Sequence, residues 1–253
     1  MAEKLEPFIF TRVDFSNDLM MHRLYRLRYQ VYCEECNFIR PEDYPDKIEK
    51  DEYDKQSVHF AAMDKDGELI GTVRLILPGP LLLPIQRHCP GAAINEKAVP
   101  QIKGAEISRL IISKRLRRRK DDGLFYEPQV SDQKVTDLEG NQFLRRAKPM
   151  AFGLYRELYR ESKRLGVTHW YTLMERSLWM LLRIHGFTFT SIGEEVDVYG
   201  AVRPYIGKIA QMEEEVAKKF PDFFKYFVNE NDPGFMNGNN KNIFANPLET
   251  SLE

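Results

Sequence analysis

The stretch SVHFAAMDKDGELIGTVRLIL, residues 57–77, decides the fold. Ser57 to Met63 and Leu69 to Leu77 both read as strands. Between them Asp64-Lys65-Asp66-Gly67 ends on an Asp-Gly pair that supplies the positive backbone angle of a tight hairpin. An antiparallel hairpin is therefore the first fixed point. On its N-terminal side, Met20, Leu24, Leu27 and Val31 recur at helical spacing behind Ser16, a plausible N-cap, and predict an amphipathic first helix ending before Asn37. Arg40 to Asp54 is acidic, aperiodic and interrupted by Pro41 and Pro45, so it reads as a loop.

On the C-terminal side, Pro78 to Pro100 is broken by prolines and glycines and reads as a second loop, followed by a strand over Glu106 to Ser113. Lys114 to Lys120 is a run of cations around Leu116, and Asp121 to Arg146 is a polar insertion with turn signals at Glu127-Pro128 and Glu139-Gly140-Asn141. Pro149 marks the first turn of a helix over 149–165, with Leu154, Leu158, Ser162 and Leu165 on one face and Gly166 as its stop. Val167 to Met174 is a strand, Leu178 to His185 a short helix closed by Gly186, and Phe187 to Ile206 a further pair of strands interrupted near Gly193 and Gly200. The expected order is α, β-β, β, α, β, α, β-β, the pattern of an α/β (α+β) domain. A charged helix follows from Ala210, Pro221 restarts the chain, and the Asn- and Gly-rich segment after Val228 is expected to be a poorly ordered tail.

The chain has 253 residues, enough for one sizeable core, and its 37 Lys and Arg against 38 Asp and Glu leave a formal net charge of -1. Whole-molecule charge does not argue for nucleic-acid binding, so any anion site is local. The odd set Cys33, Cys36 and Cys89 fits reduced thiols and no structural disulfide. MAEKLEPFIF has no basic segment followed by an apolar core, and no apolar run is long enough for a span. The expectation is a cytoplasmic chain without a membrane segment.

One constellation carries chemistry: Arg28-x-x-Val31-Tyr32, Phe38, Glu49-x-Asp51-x-x-Asp54, Arg74-Leu75 and Glu106-x-Ser108-Arg109. At these positions, over about a third of the chain, the sequence resembles the acyl-homoserine-lactone (autoinducer) synthases, a branch of the GNAT-like N-acyltransferases. It is also similar to long-chain N-acyl amino acid synthases and exosortase-associated acyltransferases. Where the autoinducer synthases usually carry Phe and Trp, this chain has Tyr32 and Phe38, which points toward the N-acyl amino acid branch. The resemblance implies a GNAT-like fold with a mixed central sheet flanked by helices. It frames residues 1–209 as the acyltransferase domain, with insertion 121–146, and 210–253 as a C-terminal helix and tail.

From the residues themselves, carboxylates at Glu49, Asp51, Asp54 and Glu106 and guanidinium groups at Arg28, Arg74 and Arg109 can position a zwitterionic amine. The same set also reads as a salt-bridge network holding loop 40–54 to the sheet. Glu106 is the candidate general base, because amide formation from an ammonium group and a thioester requires a proton to be removed. In an unbroken strand Glu106 and Arg109 face opposite sides, so they share a site only if the strand bulges between them. Tyr32 and Phe38 join Arg28, Glu49, Asp51, Asp54 and Arg74 as the acceptor pocket, with Glu106 and Arg109 catalytic.

On the donor side, backbone amides of the 109–112 segment, including Ile111 and Ile112, are candidates to hold the thioester carbonyl and the developing oxyanion. Arg115, Arg117, Arg118 and Lys120 are candidates to dock the donor. Coenzyme-A-using GNAT enzymes carry a glycine-rich pyrophosphate cradle after this strand. Here only Gly123 is available, which argues for acyl carrier protein over coenzyme A. A solvated basic turn is the plain alternative. Trp170, Tyr171, Met174, Trp179 and Met180 are either core or the lining of an acyl-chain tunnel.

Cys33-Glu34-Glu35-Cys36 lacks a second ligand pair, the histidines are scattered, and no nucleophile elbow is present. Neither a metal site, a bound cofactor nor a covalent acyl-enzyme is expected. The function read from the sequence is transfer of a fatty acyl group from a carrier-protein thioester to the amine of an amino acid or similar small amine. Two alternatives stay open: a lactone synthase consuming S-adenosylmethionine, and a non-catalytic acyl-carrier binding module.

Overall fold

The hairpin read from residues 57–77 forms two interior strands of the sheet, next to one edge. The computed structural model describes residues 8–64, 66–94, 103–113 and 142–228, with main chain only at 142–149, 222 and 226. Strand β2 (Ser57–Met63) pairs antiparallel with β3 (Leu69–Ile76), and Gly67 at the turn has φ +77°, which a side chain would resist. β4 (Gly104–Ile112) continues the sheet antiparallel to β3, and β5 (His169–Met174) lies parallel to β4. β8 (Ala201–Lys208) pairs antiparallel with β5 and carries two short strands, β6 (Thr190–Ser191) and β7 (Val196–Asp197).

The first strand of the sheet is one the sequence reading did not predict. β1 (Ile9–Val13) pairs antiparallel with β2 and occupies the edge, giving the order β1-β2-β3-β4-β5-β8-β6. Its five residues lack a buried-exposed alternation, so periodicity gave no signal. The strand is held instead by β2 and by helix α3 (Gln142–Leu165), where an added Cβ at Gly153 would sit 2.1 Å from the Phe10 ring.

Three other expectations are corrected. Helix α1 (Asp18–Tyr29) is capped by Asn17, whose side chain accepts from the Met20 N–H at 3.1 Å, while Ser16 bonds Asp14 instead. The stretch 78–100 holds a short helix, α2 (Pro84–His88), started by the very proline that argued for a loop, since proline suits a first helical turn. α3 begins at 142, so residues 142–146 of the expected insertion are helical and Pro149 lies inside the helix; a proline there removes a single N–H and the turn before it stays helical. The rest of the insertion (121–141), the basic run and the tail after Val228 lie outside the described residues.

Two layers cover the sheet. On one face, Val58, Phe60, Ala62, Val73, Leu75, Ala105 and Ile107 pack against Leu154, Tyr155 and Leu158 of α3. Helices α4 (Arg176–Ile184), α5 (Ile209–Lys219) and α6 (Pro221–Val228) join this core through Leu178, Met212 and Phe227. On the other face, Met21 and Leu24 of α1 cover Val13 and Ala61. Past Tyr29 the first helix widens into a π-helical turn, Gln30–Glu35, which the 4-3-4 spacing of its apolar residues did not signal.

Gly153→Val should destabilise the fold by about 1–3 kcal/mol, because the added side chain must displace the Phe10 ring and with it β1. Urea denaturation measures this; an unchanged midpoint would mean that β1 is not anchored on α3.

Candidate active site

The α1 face of the sheet carries the charged constellation. His59 and Arg74 are register partners on β2 and β3, and Arg74 is 1% exposed. Its Nη1 donates to Asp54 Oδ1 at 2.7 Å, its Nη2 to Asp51 Oδ2 at 3.0 Å, and its Nε to Ser108 Oγ at 3.0 Å. Arg28, from α1, donates to Asp54 Oδ1 at 2.7 Å and to Glu49. The turn Glu52–Gln56 is a 3-10 helix with a capping box: Asp51 accepts from the Tyr53 N–H, and Asp54 from the Asp51 N–H at 2.8 Å. The loop expected over 40–54 is thus fastened to both α1 and the sheet.

Arg109 enters this network through a break in β4. Arg74 pairs with Ser108 and Thr72 with Ile111, so Val73 alone stands opposite both Arg109 and Leu110. This is the bulge that the Glu106–Arg109 spacing required, and Arg109 adopts φ +53° in it. The bulge reverses side-chain parity. Before it Ala105 and Ile107 face the α3 core; after it Ile112 does, while Ile111 packs with Tyr32 and Val31 on the opposite face. Arg109 Nη2 donates to Glu49 Oε1 at 2.7 Å and to Asp51 Oδ2 at 3.1 Å.

Burial raises the acidity question for each carboxylate, and the partners answer it. For Glu49 burial pushes the pKa up, but Arg109 and Arg28 outweigh it and hold the group at about 2. For Asp54 burial acts in the same sense and Arg28 and Arg74 prevail, well below the usual range. Among the described residues Glu106 has no such partner. Its Oε2 accepts the Ile85 N–H at 2.9 Å, and burial lifts its pKa to about 8 despite that bond and the nearby charges of Arg74 and Arg109.

A cavity of about 510 Å³ opens beside these groups. The β4–β5 pairing ends at Ile107 and Thr172 while both strands continue, and the cavity occupies the splay between them. Its polar end is lined by Glu106, Ser108, Arg109, Arg74, Asp51 and Tyr53. Its wall toward the α3 core is lined by Ile107, Leu110, Tyr155, Met174 and Leu178, with Glu175 between the last two. Tyr32 and Phe38 line it too, joined by Tyr199 from the β7–β8 turn, which stacks on Tyr32 at 5.6 Å with an 11° interplanar angle. The Arg109 guanidinium lies 5.4 Å from the Tyr32 ring centroid and 5.0 Å from that of Tyr199. Tyr199, like Arg109, has a positive φ, +57°. Two of the non-glycine residues in this uncommon conformation therefore meet in the site.

The structure sorts the sequence candidates. Glu106, Arg109, Arg74, Asp51, Tyr32 and Phe38 line the cavity. Arg28, Glu49 and Asp54 are 1–2% exposed and stand behind the lining, where Asp54 holds Arg74, Glu49 holds Arg109 and Arg28 ties the two carboxylates together. Ile111 and Ile112 are buried in the two cores flanking β4, with Leu110 as their cavity-lining neighbour. Arg115, Arg117, Arg118 and Lys120 lie outside the described residues. Of the aromatic and methionine set, Met174 reaches the cavity, whereas Trp170 is core, bonded through Nε1 to Ser162 Oγ at 2.8 Å, and Met180 is 38% exposed. Sequence reasoning missed Tyr53, His88, Glu175 and Tyr199 as cavity residues. Tyr53 had a signal, since it sits between the two aspartates of the constellation.

Comparisons with known proteins bear on the fold. Residues 27–126 match the model of an acetyltransferase (GNAT) domain. No curated protein sequence matches the chain. Among solved structures, TofI, determined with an inhibitor and MTA, is 18% identical with a TM-score of 0.58 over 83% of this chain and 96% of its own. The CoA-dependent acyl-homoserine lactone synthase BjaI, with SAM and isopentyl-CoA, is 17% identical with a TM-score of 0.53 over 84% and 89%. FeeM, an N-acyl amino acid synthase from uncultured soil microbes, is 11% identical with a TM-score of 0.53 over 83% and 96%. At these identities the likeness is one of fold. The matched segment and the likeness to these structures agree on a GNAT-like fold.

Arg28→Ala should cost about 3–5 kcal/mol, since it removes one of the two counter-charges from each of the buried carboxylates Glu49 and Asp54, leaving the first to Arg109 and the second to Arg74. Thermal or denaturant unfolding at neutral pH is the readout. A loss under 1 kcal/mol would show that the network does not hold the fold together.

Proposed function

We propose that the protein transfers a fatty acyl group from a carrier-protein thioester to the amine of an amino acid or similar small amine. The observation that carries this reading is the cavity through the β4–β5 splay, with Glu106 at a polar end and an apolar passage beyond Ile107 and Leu110. A thioester lying in the splay brings its carbonyl beside the bulged strand, where backbone amides of the 109–112 segment meet the developing oxyanion. The acyl chain extends toward Tyr155, Met174 and Leu178.

The acceptor occupies the polar end. Its nitrogen attacks the thioester carbon, a C–N bond forms, and the nitrogen's proton passes to Glu106 directly or through water. The C–S bond then breaks and the thiolate leaves, taking up a proton. Arg74 and Arg109, fixed from behind by Asp54 and Glu49, shape the pocket together with Asp51, Tyr32 and Phe38. The fold does not choose the donor, because BjaI is CoA-dependent. The preference for a carrier protein rests on the cations at Arg115, Arg117, Arg118 and Lys120 and on the missing glycine-rich cradle.

Glu106→Gln should lower kcat by about 10²–10⁴-fold, and wild-type kcat/KM should rise with pH to a plateau above about 8. The same variant has a stability signature. The folded chain keeps this carboxyl protonated up to about 8, against 4.5 ordinarily, so its contribution is full below about 4.5 and declines as pH rises toward 8. Glu106→Gln should therefore be more stable than wild type at pH 9 and equal to it at pH 4. Retained turnover in the variant would exclude Glu106 as the base.

Reversing Arg117 and Arg118 to Glu should raise KM for an acyl carrier protein about tenfold or more, with little change for an acyl-CoA. Equal effects on both donors would place the basic run outside carrier recognition.

A further inference from the structure

A helix as short as α2 has almost no stability of its own, so its place, which puts the Ile85 N–H on Glu106, is set by what ties it down. One side chain away from the cavity supplies much of that tie. Gln56, the last residue of the turn Glu52–Gln56, donates through Nε2 to Leu77 O at 2.8 Å and to Leu81 O at 3.2 Å, and its Oε1 accepts the Leu81 N–H at 3.1 Å. Its main-chain oxygen accepts the Leu77 N–H at 3.0 Å. The loop over 77–81 also closes on this side chain sterically, since a Cβ added to Gly79 would sit 2.5 Å from Gln56 Cδ.

The segment held in this way continues directly into the cover of Glu106. Leu83 and Ile85 are 9% and 0% exposed and pack with Tyr53, Ile76 and Tyr171. Ile76 and Tyr171 are the register partners of Glu106 on β3 and β5. The other ties are weaker or internal: Arg87 and Glu52 pair while half-exposed, and Gln86 Oε1 accepts the Leu83 N–H at 2.9 Å within the same segment. Burial is the largest influence on Glu106, so whatever keeps this cover closed governs the acidity of the carboxyl.

Given the acyl-transfer reading, in which Glu106 takes the proton, we infer that Gln56 is a positioning residue: by clamping the 77–81 loop it holds α2 closed over Glu106 and keeps water from the carboxyl. The charged and titratable groups around Glu106 are Arg74 of β3, Arg109 of β4, Tyr171 of β5, Asp51 and Tyr53 of the turn, and His88 and Cys89 at the end of α2. Gln56 is none of these, and it acts on Glu106 only through the loop.

The clamp is tested by titrating Glu106 with carbon NMR in the full chain, isotope-labelled at its glutamate carboxyls, the resonance being identified by its loss in Glu106→Gln. Gln56→Ala removes the clamp and Gly79→Ala displaces it. Each should lower the midpoint from about 8 toward 4.5, by about one pH unit or more, because water reaching the carboxylate favours its charged form and replaces the Ile85 N–H. Gly153→Val, which loosens the distant contact of β1 with α3, should leave the midpoint in place. A midpoint that stays or rises in Gln56→Ala overturns the inference, as does an equal fall in Gly153→Val; if Gln56→Ala does not fold, Gly79→Ala decides by the same criterion. The rise of kcat/KM with pH should move down by the same amount as the carboxyl. If no thiol is released with any acceptor, the acyl-transfer reading fails, and the titration alone decides whether Gln56 clamps the cover of Glu106.

Discussion

Asp54 is bonded at once to Arg28 of the first helix and to Arg74 of the central hairpin, and the arrangement of the site depends on that shared, buried carboxylate. Two guanidinium groups at 1% exposure need counter-charges within reach, and the loop before β2 supplies them from Glu49, Asp51 and Asp54. The loop is ordered for this reason, although its composition is that of a solvated turn. The constellation therefore has two layers. Arg28, Glu49 and Asp54 form the inner layer, and Arg74, Arg109 and Asp51 present its outer edge to the cavity.

The bulge in β4 is the second constraint. Strand geometry alone would send Glu106 and Arg109 to opposite faces. One extra residue reverses the parity, brings Arg109 onto the carboxylates of the α1 face and takes Arg109 and Leu110 out of the pairing with β3. Beyond Ile107 and Thr172 the two parallel strands are no longer paired with each other, which leaves room for a long apolar substituent between them. Charge on one face and an apolar passage toward the other core thus meet at Glu106, whose lack of an ion pair among the described residues distinguishes it from Glu49 and Asp54.

Much of this was legible in the sequence, because strong local signals coincide there. The Asp66-Gly67 turn, the strands beside it and the spacing of the charged constellation all have direct structural counterparts. The bulge was legible as a condition, since Glu106 and Arg109 could share a site only through one. What escaped depends on partners distant in the chain. β1 is a short edge strand whose order comes from β2 and from Phe10 against Gly153. The short helix that delivers the Ile85 N–H to Glu106 lies in a proline-broken segment, and Tyr199 joins the site from a turn 167 residues beyond Tyr32 in number. The π-helical turn that carries Tyr32 has no compositional mark of its own.

The central claim is acyl transfer to an amine, and its most direct test is thiol release from long-chain acyl carrier protein incubated with the purified chain, a pool of amino acids and S-adenosylmethionine. Products are read by mass spectrometry. The account predicts acceptor-dependent thiol release and an N-acyl amino acid. An acyl lactone formed with consumption of S-adenosylmethionine would contradict the assigned acceptor, and no acceptor-dependent release from either carrier-protein or coenzyme A thioesters would contradict the account itself.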